Sequence, residues 1–162
     1  MAGFTASWAH GNAAVMETPR GGDDGGVFDF NHFGWGTQIV MRPGFSRWFH
    51  IALPSPVMLD GKRMKLIRVF LQLRIERLGT VQQVHLWDGQ NRVAVETDFK
   101  QNPTAQMPGH RTFELLQPRE WFFGAGLSFR LSGTGFANGN FVDNRDAPIF
   151  VIGSAGADFE VS

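Results

Sequence analysis

The sequence predicts a single all-β domain, an antiparallel β-sandwich of jelly-roll type with about nine strands and little or no helix. Three observations support this fold class. Apolar and polar residues alternate with a period of two over long stretches, turn-forming residues recur at the spacing of a sandwich, and no window has helical spacing over three turns. At 162 residues, 43% of them hydrophobic, residues 1–162 are long enough to bury one core and are predicted to form one domain.

The clearest predicted strand runs from Met64 to Glu76, where one face should pack in the core and the other should face outward. The expected core residues are Ile67, Val69, Leu71, Leu73 and Ile75, and the expected outward residues are Arg68, Phe70, Gln72, Arg74 and Glu76. After a turn at 78–80, residues 81–87 and 92–97 predict two more strands around a tight turn at 88–91. We expect these three strands to form a meander.

Shorter apolar or alternating runs predict the remaining strands. They lie at 4–10, 13–17, 37–41, 47–53, 121–131, 149–152 and 158–161. The little helix that we expect is a turn near Pro118 to Glu120. Three long polar loops, at 19–26, 100–110 and 133–147, are candidate mobile segments. They are also candidate positions for a site, since loops on β scaffolds commonly carry binding residues.

The charge balance argues against polyanionic partners. Fifteen basic and fifteen acidic side chains cancel, so we expect neither nucleic acid nor membrane as a partner. Arginine outnumbers lysine twelve to three, which suits bidentate or stacked contacts in a cleft or a subunit interface. The chain has no cysteine, so thiolate sites are excluded. No leader or membrane-spanning pattern is seen at the start, and a cytoplasmic location is expected.

The leading candidate site is an aromatic and cationic face of the sheet. If Val69 and Leu71 point inward, the side chains between them point outward, and the neighbouring strands should add their own outward residues to the same face. Flat rings beside planar donors suit a sugar ring or a planar organic acid. The predicted ligand-binding residues are Arg68, Phe70, Gln72, Arg74, His85, Trp87 and Arg130. The alternative is that the rings are covered and the arginines are solvated.

A second candidate lies at 29–36, where polar and aromatic residues mix beside a glycine-rich loop. Here His32 and Asp29 are a possible acid–base pair. The structural alternative places Phe28, Phe30 and Trp35 in the core and leaves the rest as a turn.

Metal and catalytic sites receive little support. The five histidines, at 10, 32, 50, 85 and 110, lack the spacing of a transition-metal site, so we expect no metal and no cofactor. The oxygen-rich stretch 138–146 lacks the EF-hand spacing. The sequence has no motif for a catalytic nucleophile. A pair of carboxylates for glycoside hydrolysis remains an alternative, because the sequence does not show their separation in space. The candidates are Glu96, Asp98, Glu114 and Glu120.

The favoured function is therefore non-enzymatic binding of a small molecule or glycan on a concave sheet face. One alternative is a cofactor-free enzyme, such as an isomerase, cyclase or pericyclic catalyst, with an aromatic cavity in the sandwich. A second alternative is a structural or assembly protein whose exposed rings and arginines form an interface. A homodimer is expected, because a chain this rich in strands leaves sheet edges to pair.

Overall fold

The computed structural model of the protein describes residues 4–18, 26–96, 110–134 and 147–161, with the backbone alone at 96 and at 110–117. Most of these residues lie in antiparallel strands, which confirms the all-β class. The strands in the described part of the chain are β1 (Phe4–His10), β2 (Val15–Met16), β3 (Val27–Phe33), β4 (Gly36–Met41), β5 (Ser46–Ala52), β6 (Met58–Leu59), β7 (Lys62–Arg77), β8 (Gly79–Asp88), β9 (Asn91–Glu96), β10 (His110–Glu120), β11 (Ala125–Gly133) and β12 (Ile149–Val161).

The strands form two sheets. The seven-stranded sheet has the order β10-β7-β12-β4-β3, with β1 also paired to β12 and β6 to β7, and the five-stranded sheet has the order β2-β5-β11-β8-β9. Among the described strands, the chain stays within one sheet between β3 and β4, between β6 and β7, and between β8 and β9, and it changes sheet at the other eight connections. Two antiparallel sheets around one core make a β-sandwich, the predicted architecture.

The predicted meander is wrong at its first turn. Strands β8 and β9 pair as expected, whereas β7 pairs with β10 and β12 and not with β8. The chain leaves β7 at Leu78, whose φ of 42° is left-handed, and enters the opposite sheet at Gly79. A period of two identifies a strand and its faces, but it does not identify the neighbouring strand.

The core lies between the two sheets, and the predicted inward face of β7 is confirmed. Val69, Leu71 and Leu73 are buried there. Ile67 is only half-buried, because the register between β7 and β12 shifts beside it and Leu66 takes the inward position. The five-stranded sheet contributes Phe49, Ile51, Leu86, Leu127, Phe129 and Leu131 to the same core.

Several element boundaries differ from the expectation. Residues 118–120 are the end of strand β10 and not a helical turn. The two strands predicted at 149–152 and 158–161 are one strand, β12, and the sequence pattern does not predict β3, β6 and β10. Residues 19–25, 97–109 and 135–146, which include most of the three predicted loops, lie outside the described residues. No helix in the described ranges is long and apolar enough to cross a membrane.

One junction in the seven-stranded sheet positions the candidate site. Along one edge of β12, residues 149–152 pair with β4, and residues 154–160 pair with β1. A 3-10 turn at Gly11–Ala13 follows β1, and the Asn12 Nδ2 atom donates a hydrogen bond to the Phe33 carbonyl at 2.9 Å. The Thr37 hydroxyl donates to the Gly11 carbonyl at 3.0 Å. These bonds hold the end of β1 against the hairpin of β3 and β4.

Candidate functional site

The structure divides the seven predicted site residues between the outer faces of two sheets. Strand β7 places Arg68, Phe70, Gln72 and Arg74 on the outer face of the seven-stranded sheet, as the alternation predicted. His85 and Trp87 on β8 and Arg130 on β11 lie on the outer face of the five-stranded sheet. The single shared face is therefore wrong, because β7 and β8 lie in opposite sheets with the core between them.

A cavity of about 370 Å³ lies on the outer face of the seven-stranded sheet. It is lined by Trp35, Gln72, Arg74, Val151 and Gly153. Val151 is the register partner of Arg74, and the register shifts beside Gly153. A Cβ atom at Gly153 would lie 2.8 Å from the Gln72 Oε1 atom, so the absence of a side chain there leaves room for the amide.

Two stacked aromatic pairs stand on this outer face. Trp8 on β1 stacks on Phe70 with ring centroids 5.1 Å apart, and Trp35 stacks on Phe33 with centroids 4.8 Å apart. Trp8 lies over Gly156, its register partner. A Cβ atom on Gly156 would lie only 2.5 Å from the indole, so the glycine leaves room for the ring. The indoles stay 47% and 51% exposed, respectively. We call the surface formed by Trp8, Phe33, Trp35, Phe70, Gln72 and Arg74 the aromatic shelf.

The polar groups of the aromatic shelf are held by neighbours on the same face. The Ser154 hydroxyl donates to Gln72 Oε1 at 2.9 Å. Arg74 Nη2 donates to Glu76 Oε1 at 2.5 Å, which pairs the Arg74 charge with a carboxylate. Beside Phe70, the Arg68 Nε atom donates to Asp158 at 2.6 Å. Hydroxyl, amide and guanidinium groups thus lie among the exposed rings in fixed positions.

The outer face of the five-stranded sheet carries a different set of side chains. Ser128 on β11 lies directly between its register partners, His50 on β5 and His85 on β8. The His50 Nδ1 and Ser128 Oγ atoms form a hydrogen bond of 2.8 Å. Trp48 packs on His85 with ring centroids 4.5 Å apart. We call the surface formed by Trp48, His50, His85, Trp87, Ser128 and Arg130 the histidine face.

Burial lowers the pKa of both imidazoles on the histidine face. Desolvation is the main cause at His50, and the negative charge of Glu17 opposes it. Desolvation is also the main cause at His85, and the positive charge of Arg92 adds to it. Because the usual histidine pKa is 6.5, both rings are mostly neutral at pH 7 and each offers one donor and one acceptor.

The second predicted site is only partly assembled. His32 Nδ1 contacts Thr37 Oγ1 at 2.7 Å, and no contact with Asp29 is among its described interactions. Phe30 packs against the core and stacks on Phe49, as its alternation predicted. Trp35 is exposed on the aromatic shelf, so its expected place in the core is wrong. It follows β3 in the turn before β4, beyond the last inward position.

No group of three or more His, Asp or Glu side chains in the described part of the chain is arranged to hold a metal. The 138–146 stretch and Asp98 lie outside the described residues, as do the side chains of Glu96 and Glu114.

The predicted ligand-binding residues did not include Trp8, Trp48 or His50, and Trp35 was predicted only as part of the second candidate stretch at 29–36. Alternation could have indicated that Trp8 and Trp48 face outward, because the next residue along each strand is apolar and takes the core position. These core residues are Ala9 and Phe49, respectively. Which sheet each tryptophan would share with the β7 residues was not visible, because that depends on strand pairing.

The fold and these two faces define a class: an antiparallel β-sandwich whose candidate sites lie on the outer sheet faces and outside the core. Within that class, the chain belongs to the family described as "Family of unknown function (DUF6623)", whose model matches residues 6–116. The match includes Trp8, Trp35, Gln72 and Arg74 of the aromatic shelf.

No curated protein matches the chain. Among solved structures it is similar to a mutant of CBM29-2, a family 29 carbohydrate-binding module. The two are 12% identical with a TM-score of 0.35, over 94% of this chain and 92% of that one. With a TM-score this low, neither the fold nor the ligand of this chain is inferred from that structure.

Proposed function

We propose that this protein is a carbohydrate-binding domain that holds a saccharide chain across the aromatic shelf. The observation that carries the proposal is the pair of half-exposed indoles, Trp8 and Trp35, on one outer face with the cavity beside Trp35. Exposed indole faces pack against the apolar faces of sugar rings, and such rings are otherwise usually covered in a folded domain.

The spacing of the two indoles favours a ligand of several sugar units. Trp8 lies over Gly156, and the cavity beside Trp35 reaches Gly153 on the same strand. Three residue steps along a strand span about 10 Å. A single ring cannot lie on both indoles, so each is expected to hold a different unit of one chain.

The polar groups on the shelf favour an uncharged sugar. Gln72 lies between the two indoles, and Arg74 lines the cavity. Amide and guanidinium N–H groups donate to sugar hydroxyls, which accept and donate in turn. Because Arg74 is paired with Glu76 and Arg68 with Asp158, the shelf has little net charge to attract an acidic ligand.

The test is isothermal titration calorimetry of the full chain with soluble hexasaccharides of glucose, mannose, xylose or galactose units. We expect at least one of them to bind and to lose affinity in Trp8→Ala and in Trp35→Ala separately. Phe123→Ala is the matched control, because Phe123 is a more exposed ring on the loop between β10 and β11. Binding that both shelf variants retain would overturn the proposal.

Mass analysis of the recovered saccharide distinguishes binding from the enzymatic alternative. An unchanged mass and anomeric configuration of the saccharide supports a binding domain, whereas a cleaved or isomerised product would show that the protein is an enzyme. Analytical ultracentrifugation of the same sample tests the predicted homodimer. A multimer in which Trp8 and Trp35 are covered would favour the structural alternative.

A further inference from the structure

The histidine face has a chemistry that the proposed carbohydrate site does not use. It lies on the opposite side of the sandwich from the aromatic shelf, with the core between them. Strand register places Ser128 between His50 and His85, and Arg130 two residues further along β11 on the same face. Side chains from three neighbouring strands therefore meet on one surface.

There is open space for a ring on this face, beside Trp87. Gly126 lies between Ala52 and Trp87 in the register of β5, β11 and β8. A Cβ atom placed on Gly126 would meet one atom within 4 Å in the described part of the chain, the Trp87 Cβ at 3.6 Å. The floor at this point is bare backbone, and the His85 ring packs edge-on to Trp87 with centroids 5.9 Å apart. Bare backbone beside the Trp87 indole suits the stacking of a planar ring.

The polar atoms around this space are mainly donors. Arg92 is the register partner of Trp87 and so lies on the same face. The Trp87 Nε1 atom is buried and has no hydrogen-bond partner in the described part of the chain. Arg130 is four residues from Gly126 along β11, and its Nε and Nη2 atoms donate to Ser46 at 3.1 and 2.7 Å, so it is not part of this space. The acidic side chain of Glu17 lies near His50, at the β2 edge of the sheet, whereas Arg92 lies on β9 at the opposite edge.

We propose that the histidine face is a second ligand site, which binds a ring that carries a carboxylate. The ring lies over Gly126 against Trp87, and the carboxylate accepts hydrogen bonds from Arg92 and from the imidazole of His85. A guanidinium beside an aromatic wall is the usual protein arrangement for such a group, since planar donors match the two carboxylate oxygens. This site is independent of the aromatic shelf, whose cations are already paired.

Two sources of this chemistry are distinguished by the probes: a uronic acid at the end of a glycan and a free aromatic acid. The full chain is titrated with benzoate and with a glucuronate-terminated disaccharide, and benzamide and the glucose-terminated disaccharide are the uncharged counterparts. We expect one of the two acids to bind about tenfold more tightly than its uncharged counterpart, as charge-assisted hydrogen bonds do.

Arg92→Gln and Arg119→Gln are a matched pair of variants, because both arginines are exposed on strands and Arg119 belongs to the other sheet. We expect Arg92→Gln to lose the preference for the acid and Arg119→Gln to keep it. Trp35→Ala should leave the preference for the acid over its uncharged counterpart unchanged, so failure of the carbohydrate proposal and failure of this one are separate results. Equal binding of acid and uncharged counterpart, no binding of either acid, or an acid preference that survives Arg92→Gln would overturn the proposal.

Discussion

Replacing Trp35 with alanine is the most direct test of the aromatic shelf, and its effect can be estimated from the structure. The side chain is 51% exposed. A tryptophan offers up to about 250 Å² of surface, so about 125 Å² is accessible to a ligand. A sugar on one ring face covers about half of that area, and at about 25 cal/mol per Å² the lost contact is worth about 1.5 kcal/mol. We therefore expect saccharide affinity to fall about tenfold.

Calorimetric titration of the bound hexasaccharide measures this change, and thermal unfolding checks the fold. Removing the indole also removes its stack with Phe33, which should lower the free energy of unfolding by about 1 kcal/mol. Phe123→Ala controls for loss of any exposed ring, because the nearby Trp121 is hydrogen-bonded to Met64 near the start of β7, about 25 Å along that strand from Gln72. Unchanged affinity in Trp35→Ala, with the fold intact, would refute the reasoning.

Three further predictions concern stability. Phe129→Ala should lower the free energy of unfolding by about 3–5 kcal/mol in urea titrations, since the ring is fully buried, and a loss below about 1 kcal/mol would contradict the assigned core. Asp88→Ala should cost about 2–3 kcal/mol, because this buried carboxylate accepts from the backbone N–H groups of residues 122–124, and an unchanged urea midpoint would exclude that role. Burial lowers the pKa of His50 and His85, so just below pH 6.5 the unfolded chain binds more protons than the folded one. The free energy of unfolding should therefore fall as the pH drops through this range. A combined His50→Gln and His85→Gln variant should show a smaller fall over the same range.

The faces of β7 were predictable because side chains of a strand alternate strictly between its two sides. Three consecutive inward positions, Val69, Leu71 and Leu73, are too apolar to face water, and they fix the two faces of β7 from Arg68 onward. The outward positions of Phe70, Gln72 and Arg74 follow without any knowledge of the fold. Local pattern therefore determined which side chains are available for binding on each strand.

The grouping of those side chains could not be predicted in the same way. A short turn between two strands favours a hairpin, so β7 and β8 were expected to pair. In the structure the chain crosses at Leu78 into the other sheet, and β7 pairs with β10 and β12, whose paired residues are about 40 and 80 positions further along the chain. Pairings at that sequence distance leave no local signal. The candidate site was thus correct in its outward residues and wrong in their combination.

The position of the aromatic shelf also has a topological cause. One edge of β12 changes partner between residues 152 and 154, from β4 to β1, and Gly153 at the change has no partner in either strand. The backbones of Gly11 and Gly36 pack against Ile152 and Gly153 at this point. The cavity lies on the outer face there, beside Gln72 and Arg74. Because Arg74 lies on the surface, substituting it should change stability by only about 0.5 kcal/mol. Under the proposed function, the ligand preference of this cavity can therefore change by surface substitution while the backbone and core of the β-sandwich stay the same.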